Sequence, residues 1–156
     1  MLSELSIKNY ALIETLQVQF ESGFTSITGE TGAGKSVLLG GLALVLGKRV
    51  DFSNINDASK KCIIEASFNI ENFNLNQFFE DNDLDFDSHT ILRREVLPSG
   101  KSRAFINDSP VNLSVLANLG EQLIDIHSQQ QTQELTSDDF RFQKLLIVQN
   151  SGSVVR

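Results

Sequence analysis

Thr28-Gly29-Glu30-Thr31-Gly32-Ala33-Gly34-Lys35-Ser36, in one-letter form TGETGAGKS, has from Gly29 onward the spacing G-x-x-x-x-G-K-S. The glycines let successive backbone N–H groups turn inward and form a nest for an anion. A lysine at the end of such a nest reaches the outer phosphates of a nucleotide, and the hydroxyl after it is placed to ligate Mg²⁺. The pattern requires a strand before it and a helix after it. Phe24 to Thr28 reads as that strand, and Lys35 to Leu46, apolar nearly all round, as the helix. Gly40 and Gly41 offer close approach to a sheet, and Gly47 before Lys48 and Arg49 makes a helix end. Strand, loop and helix in this order define an α/β P-loop fold whose phosphate site is Gly29, Glu30, Thr31, Gly32, Ala33, Gly34, Lys35 and Ser36.

Upstream, the alternation of Leu5 and Ile7, then Leu12, Ile13, Leu16, Val18 and Phe20, predicts two strands with a turn near Asn9 to Ala11. Downstream, Val50 to Lys61 is polar and loop-like, Cys62 to Ile70 reads as a strand and Leu75 to Glu80 as a short helix. Thr90 to Val96 and Ser102 to Ile106 flank LPSGK and predict a hairpin, with a further turn at Asn107-Asp108. Asn112 is placed to cap a helix that runs through Leu119 and ends at Gly120. Leu123 to His127 then reads as a short buried strand that opens into a polar run. Ser137-Asp138-Asp139 marks the start of a helix through about Val148, with acidic residues where they suit its dipole.

The 156 residues, 40% hydrophobic with eleven Phe, suffice for one core. A formal charge of -7 argues against a general polyanion-binding surface, which Lys and Arg would have to supply. The single cysteine, Cys62, excludes an internal disulfide and sits in an apolar strand, where a buried structural thiol is the simplest reading. No basic leader opens the sequence, and the longest apolar run, Val37 to Gly47, is too short to cross a bilayer. These features point to a cytoplasmic protein without a membrane partner.

A nucleotide hydrolase of this type also needs a carboxylate after an apolar strand, the Walker B group. Asp125, in LIDIHS, is the sole candidate, and the short apolar stretch before it and the lack of a second carboxylate favour a structural Asp, so no catalytic residue is assigned. The acidic run from Glu80 to Asp87 lacks a ligand-loop pattern and reads as a solvated connector. Arg93, Arg94, Lys101 and Arg103 gather on the predicted hairpin. Since side chains alternate across a strand, Arg93 and Arg94 face opposite sides, and a solvated face with cross-strand pairing to Glu95 is favoured over a DNA contact.

Beyond the loop, the opening MLSELSIKNYALIETLQVQFESGFTSITGETGAGKSVLLGGLALVLGKR, together with LRREVLPSGKSRAFINDSPV and LGEQLIDIHSQQQTQEL, resembles the head segment of the RecN family, SMC-like ABC ATPases of bacterial double-strand-break repair. The resemblance runs from Met1 to about Leu146. It implies lobe I of an ABC-type ATPase head, a mixed sheet around the P-loop helix with an antiparallel β subdomain, over residues 1–136, and the start of a coiled-coil arm or a truncated tail over 137–156. It implies ATP and Mg²⁺ as cofactors, with Gln129 at the Q-loop position, where its amide oxygen joins Ser36 in the metal shell. It also places Lys8 and Asn9 where related heads bring a turn close to the nucleotide, although a plain strand turn accounts for them as well. His127 reads as a polar residue at a strand end rather than a base. The partners implied are the C-terminal half of the same head, a second head in a homodimer, and DNA engaged by the full-length assembly. Because hydrolysis in such heads needs two of them around the nucleotide, this chain alone is expected to bind without efficient turnover. The other reading of the residues is a stand-alone P-loop phosphotransferase or nucleotide-binding regulator, with Asp125 or an acid from Glu80 to Asp87 serving the metal.

Overall fold

The computed structural model describes residues 1–27, 33–127 and 145–148. Its elements, in chain order, are β1 (Leu2–Tyr10), β2 (Ile13–Gln19), α1 (Ala33–Val45), a 3₁₀ turn (Phe52–Asn54), β3 (Cys62–Asn69), α2 (Asn76–Asp81), β4 (His89–Val96), β5 (Ser102–Ile106), β6 (Ser109–Val111), α3 (Leu113–Leu123), β7 (Ile124–His127) and β8 (Leu145–Val148). Strands β1 to β6 form one antiparallel sheet in the order β2-β1-β3-β4-β5-β6, and β7 and β8 form a separate parallel pair.

Register places alternate residues of the large sheet on one apolar face. Leu5, Ala66, Leu92 and Ile106 form one row, and Ile7, Ile64, Arg94 and Ala104 the next. All eight are buried, and α1 packs over them on β1, β3 and β4 while α3 packs on β5. Two glycines set how closely α1 lies. A Cβ on Gly40 would meet the Tyr10 hydroxyl at 2.8 Å, and one on Gly41 would meet Ile7 Cδ1 at 2.7 Å. The helix then ends as its sequence predicts. Gly47 N–H donates to Leu44 O at 3.2 Å and Lys48 N–H to Ala43 O at 3.0 Å, the paired bonds of a Schellman cap, with Gly47 at φ +98°.

Three expectations are corrected. Phe24–Ile27 is not a strand; it has no ladder partner among the described residues, Phe24 is 94% exposed, and Thr28 lies outside the described residues. A strand exists only where a neighbour takes its backbone hydrogen bonds, and its apolar pattern alone does not supply one. Gly120 does not end α3, which continues to Leu123. The glycine instead lets α3 approach α1, since a Cβ there would stand 2.9 Å from Leu46 O. Leu145–Val148, expected within a helix, is strand β8, paired with β7 from Ile124↔Leu145 to His127↔Val148. The four apolar residues in a row suit a buried parallel strand as well as a helix turn. The rest of that expected helix lies outside the described residues.

Candidate nucleotide-binding site

The site is built on the first turn of α1. Ala33 opens the helix, Gly34 and Ser36 are exposed and Lys35 is half-buried. Gly29, Glu30, Thr31 and Gly32 lie outside the described residues, as does Gln129. Two observations fit this turn to an anion. The first turn carries no acidic residue, so no carboxylate of the turn itself opposes an anion at the positive end of the helix dipole. Among the described residues a Cβ on Gly34 would meet nothing within 4 Å, so none of them sets a packing constraint on this glycine. Lys35 and Ser36 supply the donor set that phosphate and Mg²⁺ require.

The turn after β1 is occupied otherwise. Asn9, at φ 57° and 8% exposed, donates through Nδ2 to Asp57 O (2.9 Å) and Lys60 O (3.0 Å) and accepts from Asp57 N–H through Oδ1 (2.7 Å). Its amide thus fastens the end of β1 to the 57–60 loop, which supports the plain strand turn. Lys8 is exposed, opposite Thr15 and Ile63. Asp125 and His127 are brought onto β7, opposite Leu146 and Val148 of β8.

The four hairpin cations separate, as alternation requires. On the outer face, the Arg93 guanidinium carbon lies 4.4 Å from the centroid of the Phe105 ring, with Glu65 and Glu95 each 3.7 Å away. Arg93 and Glu65 are in register, the cross-strand pair of this face, and Glu95, opposite Ile63, also takes Lys61 Nζ at 3.3 Å from the residue before β3. Lys101 and Arg103 are exposed. Arg94 points the other way, into the core row, and is 3% exposed. The five carboxylates of the acidic run, Glu80, Asp81, Asp83, Asp85 and Asp87, are all exposed, and no group of His, Cys, Asp or Glu among the described residues is placed to hold a metal ion. Burial pushes the Cys62 thiol up to about 11, consistent with an inert core residue. Sequence reasoning missed the structural duty of Asn9 and the strand β6. The Asn107-Asp108 turn was the available signal for β6, since it pairs Ile106 with Ser109.

A glycine-rich P-loop sequence directly before a helix that packs on an antiparallel sheet gives the chain the fold of a P-loop head, and the AAA domain family model matches residues 4–152, so the chain belongs to that family. Within it, the chain is similar in sequence to the DNA repair protein RecN. It is 42% identical to RecN of Vibrio cholerae over 146 residues, which is 93% of this chain and 26% of that protein. It is 38% identical to RecN of Bacillus subtilis over 147 residues, again 93% and 26%. The chain therefore spans about a quarter of the length of the curated relatives it matches. Among solved structures, the SMC head domain from Thermotoga maritima aligns with a TM-score of 0.61 at 20% identity, covering 83% of this chain and 48% of that one. The Pyrococcus furiosus Smc head with an extended coiled coil aligns at 0.63 and 23% identity, covering 82% and 36%. The fold is that of an SMC-type head.

Proposed function

We propose that this chain is the nucleotide-binding part of a RecN-like, SMC-type ATPase that serves DNA double-strand-break repair. Gly29, Glu30, Thr31, Gly32, Ala33, Gly34 and Lys35 hold the phosphates of ATP, and Ser36 and Gln129 contribute to the Mg²⁺ shell. The single observation that carries the reading is the first turn of α1. It carries Lys35 and Ser36 directly after the glycine-rich sequence, has no acidic residue, and has nothing among the described residues within 4 Å of where a Cβ on Gly34 would stand. When bound, Mg²⁺ neutralises charge on the phosphates; the chain's own part is to orient them through backbone N–H groups and the Lys35 ammonium.

Residues 1–136 belong to the head lobe, β8 (Leu145–Val148) joins it through its pairing with β7, and the remainder of 137–156 belongs to the beginning of an arm or tail. The C-terminal half of the same head, a second head and DNA are the partners, and the cytoplasm is the compartment. No helix among the described residues is long and apolar enough to cross a membrane. The stand-alone phosphotransferase has less support, because the sequence relatives are RecN proteins and the fold is that of SMC heads.

Turnover is the test. The purified chain binds Mg-ATP with little hydrolysis, and addition of the C-terminal remainder of the parent reading frame raises the rate. Hydrolysis by the chain alone that Lys35→Ala abolishes, or a mixture that shows no gain, contradicts the split-head reading.

A further inference from the structure

Arg94 sits in the core-facing row of the sheet between Ile64 and Ala104 in register, with Leu92 and Val96 on either side along β4. It is 3% exposed, its Nε is sealed from solvent without a hydrogen-bond partner, and it takes part in no ion pair among the described residues. A guanidinium cannot shed its charge to escape burial, as a lysine or carboxylate can, so its desolvation has to be met by an anion. Glu65 and Glu95, the carboxylates nearest in the strand register, lie on the opposite face and already serve Arg93 and Lys61. The acidic residues of the 80–87 run are exposed.

The position of Arg94 decides which anion. Helix α1 passes Tyr10 and Ile7 of β1 at Gly40 and Gly41, then meets α3 at Leu46 and Gly47, and α3 packs on β5. Strand β4 lies between these two contacts, so Arg94 faces the later part of α1. Lys35 and the phosphate site are at its beginning. Lys35 to Val45 spans about 15 Å of helix, more than an arginine side chain reaches. A bound nucleotide is therefore not its partner. Among the described residues no carboxylate meets Arg94, and about three quarters of the length of the curated relatives lies outside this chain as a source of the missing charge.

We propose that Arg94 is the seat of a charge-assisted, two-pronged hydrogen bond to a carboxylate carried by the C-terminal half of the head, and so anchors that half to this sheet. The inference rests on the split-head reading above. Its test uses Arg94→Met, which keeps length and apolar volume, and Arg94→Lys, which keeps charge without the fork. Each is measured for thermal unfolding alone and for association with the C-terminal remainder by calorimetry. Arg94→Met is expected to unfold at or above the wild-type temperature when alone, because it removes an uncompensated charge, and to bind the remainder at least tenfold more weakly; Arg94→Lys falls between. Equal binding by wild type and Arg94→Met overturns the inference and leaves the proposed function standing. An Arg94→Met chain that fails to fold shows that Arg94 is satisfied within the chain, and overturns it also. A wild-type chain that binds ATP but not the remainder overturns the inference together with the split-head reading.

Discussion

Gly47 lies so close to α3 that a Cβ on it would stand 2.6 Å from both Cα and Cβ of Ala117, at a backbone φ of +98°. One residue thereby ends α1, turns the chain and sets the distance between α1 and α3. Gly47→Ala forces a left-handed non-glycine backbone, costing about 1 kcal/mol, and overpacks a helix contact, costing about 1–3 kcal/mol more. Denaturant unfolding should show a loss of about 2–4 kcal/mol.

Gly34 is the contrasting glycine, since nothing among the described residues lies within 4 Å of where its Cβ would go. Gly34→Ala should leave stability unchanged or raise it by up to about 1 kcal/mol, the helix-propensity gain. If the space beside Gly34 is for phosphate, the same change lowers Mg-ATP affinity tenfold or more in a binding titration. Unchanged affinity would remove Gly34 from the site.

Asn9 makes three hydrogen bonds to the 57–60 loop. Asn9→Ala strands the partly buried Asp57 N–H and two carbonyls, at about 2–3 kcal/mol of stability by denaturant titration. Nucleotide affinity should not change, because the amide is committed to the loop. A selective loss of affinity at full stability would instead place Asn9 in the site.

The Cys62 thiol is held up at about 11 against an ordinary 9.0 by burial. A raised value in the folded state means that the unfolded chain loses its proton first as pH rises. Stability from this group is complete below pH 9 and declines between about pH 9 and 11. Cys62→Ala should flatten that part of the stability-against-pH curve, and thiol reagents should label the native wild-type protein only on unfolding.

Much of this fold was legible because local chemistry and final packing agree. The Schellman cap at Gly47, the β4–β5 hairpin and the opposite facing of Arg93 and Arg94 follow from residue type and period alone. The misreadings fall where the deciding partner is distant in sequence. Gly120 has the composition of a helix end, but Leu46, seventy-odd residues earlier, gives it a packing role. Phe24–Ile27 has the pattern of a strand and no neighbour among the described residues to pair with. Within the candidate site, the donors Lys35 and Ser36 were readable from spacing. The burial of Arg94 with its Nε unpartnered among the described residues was not, because a pattern shows which face a residue takes and not what meets it there.

The central claim, that the first turn of α1 holds the phosphates of ATP, is tested most directly by calorimetric titration of Mg-ATP into the wild-type chain and Lys35→Ala, with matched unfolding curves to show that both are folded. The account predicts saturable binding at a single site in the wild type and a loss of at least tenfold in affinity in the variant. Equal affinity in the two, or no binding by the folded wild-type chain, would contradict it.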